Sequence, residues 1–290
     1  MNRPVLIDAD WRRRNPLPSV TVGGDKNERG RVLLVGGSRF VPGALRLTGE
    51  AALRMGAGKL QLATIAAAAL HLGIAVPEAA VIELPTNPDG EIAADAGQQL
   101  VDALSHADTL ILGPAMSACD DVPPLMRELL HHPRDDLSIL LDAAAASSAR
   151  GLEKVLSRHG GRVVLTPHCG EMASLMELEK KAVEQDQTAI AAQAATRFGA
   201  IVVLKSVRTV IAAPDGTLLE YHSDTPGLGT GGSGDVLAGV IGGLMARGAD
   251  PLVAAAWGVW LHGEAGRAAA HHCGPVGFLA RELPALLPRL

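Results

Sequence analysis

Apolar residues along this chain fall into short blocks, each closed by a turn. The blocks at 32–35, 59–64, 80–84, 109–112, 139–142, 163–166 and 201–205 are short and mostly continuous, the pattern of strands covered on both faces. Amphipathic stretches lie between them. In the first, Ala44, Leu47, Ala51 and Met55 recur at spacings of three and four, Arg46, Glu50 and Arg54 share another face, and Gly56 and Gly58 end the run. Further helices are expected near 93–105, 122–131, 171–178 and 185–198. Strand, glycine turn, helix and strand form a βαβ unit, whose repetition predicts a parallel sheet with right-handed crossovers. The rhythm breaks at 209–213 and 217–221, which flank Pro214-Asp215-Gly216; this is hairpin chemistry and predicts an antiparallel extension near one sheet edge. From Gly234 onward the chain reads as helix, over 234–247, 251–271 and 277–287. The expected architecture is α/β, a largely parallel sheet flanked by helices on both faces. It fills a single domain over 1–290, with residues 1–25 as a lead-in.

Composition narrows the picture. The chain has 290 residues, enough for a sizeable core, and 48% are hydrophobic but only 2% aromatic, so the core must be built from Ala, Leu, Val and Ile. A formal charge of −5 and so few aromatics argue against nucleic-acid binding, which needs a basic groove and stacking platforms. Cys119, Cys169 and Cys273 are far apart and odd in number, fitting neither a disulfide framework nor a paired zinc motif; a reducing cytoplasm is the expected home. Residues 1–20 carry Asp8, Asp10 and Arg12 to Arg14 and lack a signal-peptide apolar run, and no stretch is long and apolar enough to span a bilayer.

The chemistry concentrates in Gly227-Leu228-Gly229-Thr230-Gly231-Gly232-Ser233-Gly234-Asp235. Five glycines in eight residues give way to a carboxylate and then to an apolar helix-compatible run. Glycines allow close backbone approach, and a helix N-terminus favours anions, so this loop suits phosphate. Asp235 would repel that ligand unless it accepts a proton from a substrate hydroxyl or holds a metal. The bland alternative is a glycine turn with a helix-starting Asp. No Lys-Ser or Lys-Thr follows, as a Walker loop requires, and the loop lies too late for a Rossmann fingerprint. A second signal is that the expected strand ends are glycine or polar throughout: Gly36-Gly37-Ser38, Gly113-Pro114, Asp142, Thr166-Pro167-His168 and Lys205. Ligands of open α/β sheets bind there.

Several stretches together resemble the ADP-dependent NAD(P)H-hydrate dehydratase family, whose fold is ribokinase-like. They include Val32-Leu33-Leu34-Val35-Gly36-Gly37-Ser38, Arg54-Met55-Gly56-Ala57-Gly58, Pro77-Glu78-Ala79, Leu112-Gly113-Pro114, Leu141-Asp142-Ala143, Thr166-Pro167-His168-Cys169-Gly170-Glu171, Val203-Leu204-Lys205 and Thr230 to Asp235, in the family's order over roughly residues 26–287. The resemblance implies an enzyme that uses ADP to convert hydrated NADH or NADPH back to the normal cofactor, releasing AMP and phosphate. It implies Asp235 as the catalytic carboxylate, also in contact with substrate. It further implies Gly232, Ser233 and Gly234 around the transferring phosphoryl group, and Lys205, Ser206, Val207, Arg208 and Thr209 along the AMP portion. Ala44, Gly113 and His168 would contact the hydrated nicotinamide nucleotide. Mg²⁺ would bridge the donor phosphates; its ligands are not assigned, Asp142 and Glu171 being candidates that serve equally well as a turn residue and a helix-starting acid. A homo-oligomer, a tetramer, and a separate NAD(P)H-hydrate epimerase are the implied partners.

The chain departs from the family at Cys169, where Pro is usual, at Ser206 and Ala115, where Gly is usual, and at Asp224-Thr225, where Gly-Asn is frequent. Ala115 and Ser206 each add a Cβ beside a binding surface. Two competing functions remain: a kinase of a vitamin-precursor alcohol on the same fold, which would share the glycine loop and Asp235, and a nucleotide-binding sensor without turnover. The retained Asp235 and Lys205 weigh against the sensor. His131-His132 and His271-His272 read as solvated pairs, His262 as a satisfied core histidine, Cys169 as no nucleophile because no base accompanies it, and Trp257 with Trp260 as core or a subunit interface.

Overall fold

The computed structural model describes residues 3–19 and 25–289; residues 1, 2 and 20–24 of the expected lead-in, and Leu290, lie outside the described residues. Ten strands make one sheet: β1 (Val5–Leu6), β2 (Arg31–Val35), β3 (Lys59–Ile65), β4 (Ala79–Leu84), β5 (Thr109–Leu112), β6 (Ser138–Leu141), β7 (Val163–Leu165), β8 (Ile201–Leu204), β9 (Arg208–Ala212) and β10 (Leu218–His222). Their order is β1-β10-β9-β8-β7-β6-β5-β2-β3-β4. β2 to β8 run parallel, while β9 is antiparallel to both β8 and β10. The expected hairpin therefore extends the sheet, but it is not the outermost element. β1, from the lead-in, pairs in parallel with β10 through Val5↔Leu219 and Leu6↔Glu220. A two-residue strand has no periodicity to detect, which is why this segment read as featureless.

The helices are α1 (Ala9–Arg14), α2 (Ala44–Arg54), α3 (Ala66–Ala75), α4 (Ala96–Ser105), α5 (Val122–Leu130), α6 (Ala143–Ser147), α7 (Glu153–Ser157), α8 (Cys169–Met176), α9 (Lys180–Gln185), α10 (Gln187–Phe198), α11 (Ser233–Ala246), α12 (Pro251–Cys273) and α13 (Leu283–Leu286). The helix expected over 185–198 is α10, which starts at Gln187 because the Asp186 carboxylate caps it, accepting from the Ala189 N–H at 3.1 Å; Asp186 also ends α9, a separate helix that precedes the expected range. The helix expected over 277–287 is a 3₁₀ turn, Ala280–Glu282, followed by the single turn of α13. Helices α1, α3, α6, α7 and α9 are not expected from the sequence; α3 is apolar nearly all round and α6 is a run of alanines, so neither carries an amphipathic signature.

Burial follows the pattern. Every residue of β5 and β8 is buried, as central strands between two helix layers must be. α2, α11 and α12 pack together in one layer, and α4, α5, α7 and α10 pack in another. α11 is apolar on all sides and buried from Val236 to Ala246, lying between α2, α12 and strands β5 and β6. Its glycines make this closeness feasible. A Cβ on Gly239 would come within 2.1 Å of the Thr48 carbonyl oxygen, and one on Gly243 within 2.5 Å of that of Ala52. Since Gly232 faces Leu47, Gly239 faces Thr48 and Ala51, and Gly243 faces Ala52 and Met55, the two helices run in the same direction and bring both N-termini to one end.

The seam yields a test by calorimetric or chemical unfolding. Gly239→Ala should cost about 2–4 kcal/mol, as an overpacked backbone contact does, although alanine is the better helix former. Gly242→Ala, whose Cβ would meet side-chain atoms of Ile111 and Thr109 rather than backbone, should cost less. Equal, small effects at both positions would contradict the backbone contact.

Candidate active site

The strand order reverses between β2 and β5, and there the two strand-end loops close on each other: the Gly37 N–H donates to the Pro114 carbonyl at 2.8 Å. Gly113, at φ +112, packs so tightly on the next loop that a Cβ would lie 2.0 Å from the Asp142 carbonyl oxygen. Two alanines nearby hold left-handed conformations, Ala115 at φ +58 and Ala143 at φ +45. Each costs about 1–2 kcal/mol relative to an ordinary backbone, and strain of this kind gathers at functional sites. The departure at Ala115 thus has a concrete price: the usual glycine would adopt this φ freely. Ser206 carries none, since its φ is ordinary and its hydroxyl bridges the turn, accepting from the Arg208 N–H at 3.2 Å and the Gln187 side-chain amide at 3.0 Å.

Charged groups converge on Lys205, just beyond β8. Its ammonium donates to Asp142 Oδ1 at 2.8 Å, and the same oxygen accepts from the buried Thr166 hydroxyl at 2.6 Å. Gly234 packs against the Lys205 amine, a Cβ there lying 3.4 Å from Nζ. Burial pushes the Lys205 ammonium down, but the carboxylates of Asp142, Glu171 and Asp235 outweigh it and leave the group above its ordinary value. Asp235, in the first turn of α11, goes the other way: burial, with the Asp142 charge adding to it and Lys205 opposing, pushes its carboxyl up to about 7. A carboxyl poised there exchanges protons near neutral pH.

Above Asp235 the loop turns through Gly232 at φ +90, and no side chain caps α11. Among the described residues the N–H groups of Gly232 and Gly234 find no backbone carbonyl; that of Ser233 donates to Thr230 at 3.3 Å. Open donors at a helix N-terminus form an anion cradle. Because α2 is parallel to α11, its positive end, at Ala44, faces the same region.

The other sequence candidates fall around this point. His168 follows β7, bridged to Lys205 by β-type pairing, and caps α8: Nδ1 accepts from the Gly170 and Glu171 N–H groups, so the ring's proton sits on Nε2. Glu171 reciprocates by accepting from the His168 N–H at 2.8 Å. Arg208 donates to the Thr188 hydroxyl at 2.9 Å, Thr209 to the Ser206 carbonyl at 3.0 Å, and Val207 is exposed. The sequence alone does not connect His262 to this site. It is buried in α12 with Nε2 3.0 Å from the Ser233 hydroxyl, and burial pushes it down to about 4, so it braces the loop as a neutral ring. No spacing rule links positions 233 and 262, so only the fold could pair them. Cys169 is buried and its thiol is pushed up by that burial, as expected of a non-nucleophile. His131, His132, His271 and His272 are exposed, as expected, and Trp257 and Trp260 pack edge to face beneath the chain's own α1.

Among the described residues no group of three or more His, Cys, Asp or Glu side chains could hold a metal alone. Asp142 and Glu171 nevertheless fit a Mg²⁺ carried chiefly by phosphates, which needs only one or two protein carboxylates.

The raised Asp235 carboxyl predicts a pH-dependent stability difference. Its folded value lies above its unfolded one, so the native state holds the extra proton between about pH 4 and 7; stability from this group is full below about pH 4, is lost as pH rises through about 7, and stays at the lower level above that. Asp235→Asn should therefore be more stable than the parent by on the order of 2 kcal/mol at pH 8, a gap that closes toward pH 4. Thermal unfolding of both proteins across that range checks this, and a pH-independent difference would contradict it.

Comparison with known proteins agrees with the fold. The family model described as NAD(P)H-hydrate dehydratase matches residues 32–289. A protein of Xanthomonas campestris pv. campestris named ADP-dependent (S)-NAD(P)H-hydrate dehydratase is 45% identical over 277 residues, covering 95% of this chain and 92% of the relative. The bifunctional NAD(P)H-hydrate repair enzyme Nnr of Moorella thermoacetica is 39% identical over 98% of this chain, which spans 53% of that longer protein. The ADP/ATP-dependent NAD(P)H-hydrate dehydratase of Bacillus subtilis, co-crystallised with ATP and Mg²⁺, superposes with a TM-score of 0.82 at 28% identity, covering 99% of this chain and 97% of that one. With a family model matched over most of its length and a relative of this similarity, the chain belongs to the NAD(P)H-hydrate dehydratase family.

Proposed function

We propose that this protein is an ADP-dependent (S)-NAD(P)H-hydrate dehydratase, a carbon–oxygen lyase that repairs hydrated NADH and NADPH. The observation that carries the reading is the Asp235 carboxyl, pushed up to about 7 directly beneath an open helix N-terminus and beside Lys205. A base of that strength set against a phosphate cradle suits transfer of a phosphoryl group to a substrate hydroxyl.

In this reading Asp235 takes the proton of the substrate hydroxyl as its oxygen attacks the β-phosphorus of ADP. The bond from that phosphorus to AMP breaks and AMP leaves. The N–H groups at Gly232 to Gly234 and the Lys205 ammonium stabilise charge on the transferring group. The nitrogen beside the phosphorylated carbon then expels phosphate, and loss of a proton from the neighbouring carbon restores the dihydronicotinamide. Ser206 to Thr209 flank the AMP portion, and Ala44, Gly113 and His168 flank the hydrated nucleotide. Mg²⁺, held by donor phosphates with Asp142 or Glu171, would neutralise phosphate charge. The reaction fits within one domain. The protein is a homo-oligomer, a tetramer, that works beside a separate epimerase. Its three cysteines are free, which supports a reducing cytoplasm, and no helix of the described residues is long and apolar enough to cross a membrane.

Incubation with ADP, Mg²⁺ and hydrated NADH should yield AMP, inorganic phosphate and NADH in equal amounts, read by dihydronicotinamide absorbance and a phosphate assay. Failure to restore absorbance, together with accumulation of a stable phosphoester of a hydroxymethylpyrimidine or hydroxyethylthiazole alcohol, would replace the dehydratase with a kinase.

The pH profile gives a second check. Asp235 must be ionised to act, so kcat/KM should rise through an apparent pKa near 7 and flatten above it. Asp235→Asn should lower kcat by about 10²–10⁴-fold while ADP still binds. Lys205 holds the Asp235 carboxyl down, so Lys205→Met should move the rising limb to higher pH. An unmoved limb would remove Asp235 from the base role.

A further inference from the structure

The opposite end of the α2–α11 pair opens into a cavity of about 1120 Å³ that the reaction does not use. It is lined by Arg12, Arg13, Arg29, Arg54, Arg247 and Arg289, and among the described residues no Asp or Glu lines it. Six guanidinium groups in one hollow are not a by-product of composition, since the chain as a whole carries a net charge of −5. Arg247 follows Asp235 by twelve residues of a continuous helix, a rise of about 18 Å, so the cavity is separate from the Asp235 site.

Their partners divide these arginines into two sets. Arg247 is used structurally, donating to the Met55 and Pro18 carbonyls at 3.1 Å each, and burial lowers it with no carboxylate to offset the effect. Arg13 pairs with Asp10. Arg12, Arg29, Arg54 and Arg289 have no side-chain hydrogen bond or ion pair among the described residues. Arg12 is fixed in place by stacking, its guanidinium 3.6 Å from the Trp260 ring centre, yet its Nε is buried without an acceptor. A buried donor left unpaired is costly, and an anion would satisfy it. Four unpaired guanidiniums exceed what one monovalent ion neutralises, and planar donor forks suit phosphate oxygens.

We infer that this arginine-lined cavity is a second ligand site that binds a small molecule carrying a run of two or more phosphates, distinct from the site at Asp235. The shared chemistry is the polyphosphate chain, which is supplied either by inorganic polyphosphate or by a nucleotide. The cavity exceeds the 300–1,000 Å³ typical of small-molecule sites, so both fit. Trp257 lines it and offers a fluorescence reporter.

The test is titration of the full chain with tripolyphosphate, and separately with ATP, in metal-free buffer, followed by calorimetry and tryptophan fluorescence. Wild type is compared with the double variant Arg54→Gln/Arg289→Gln and with Lys205→Ala. Arg54 and Arg289 are exposed and, among the described residues, make no side-chain hydrogen bond or ion pair, so the double variant should fold, and its ADP-driven turnover should be unchanged. It should lose tripolyphosphate affinity by about tenfold or more, with the loss falling as salt rises, while Lys205→Ala retains that binding event. If the double variant's loss is larger for ATP, the occupant is a nucleotide; if it is larger for tripolyphosphate, the inorganic chain. Equal affinity in wild type and the double variant, or binding abolished by Lys205→Ala alone, would overturn the inference. Neither result depends on whether hydrated NADH is the substrate of the Asp235 site.

Discussion

Three carboxylates share the positive charge of Lys205, and the candidate site takes its character from that arrangement. Asp142 takes the direct hydrogen bond, with Thr166 on the same oxygen, so the ammonium is anchored to one side. Asp235 receives only the through-space part of that charge while facing the Asp142 carboxylate and losing water. The balance leaves one acid firmly paired and another near the middle of its titration. Two carboxylates close together with different duties are how one site can hold a charge and move a proton. Were Lys205 paired with Asp235 instead, the base would be quenched.

Around that centre the fold supplies backbone donors. Two parallel helices direct their N-termini to the same region, and the strand ends of β2 and β5 meet through glycine and proline rather than through bulky side chains. Left-handed alanines at 115 and 143 show that the close approach is imposed at a cost on the loops that carry it. The neutral His262 behind Ser233 belongs to the same logic, because a charged ring there would bring a second buried cation close to Lys205, whose charge already opposes protonation of His262.

Much of this was legible in the chain. Continuous apolar blocks between glycine turns place the parallel strands within a residue or two, since a strand buried on both faces leaves an unmistakable run such as Val32 to Val35. Asp235 was legible because a carboxylate in a glycine-rich anion loop contradicts its surroundings. What escaped had no local signature. β1 is two residues long and exists because β10 offers it an edge; α6 and α7 are single turns; the break at Asp186 depends on one side chain choosing to cap. The contacts Lys205–Asp142, 63 residues apart, and Ser233–His262, 29 apart, are products of strand order, which no window along the sequence encodes. The arginines of the far cavity come from five separate segments and looked like ordinary surface charge.

The glycine seam between α2 and α11 also bears on motion. Helices in backbone contact cannot slide past one another without opening voids or colliding at Thr48 and Ala52, so they behave as one rigid wall carrying Ala44 and Asp235 together. The distance between those two residues is then insensitive to what occupies the site. Admission of nucleotides and escape of products must instead be accommodated by the strand-end loops, and the segment after β2 presents Phe40 at 89% exposure and Val41 at 42%, with apolar surface to spare for closing over a ligand. In such an architecture the helices fix the reacting geometry and the loops are left to admit and release ligands.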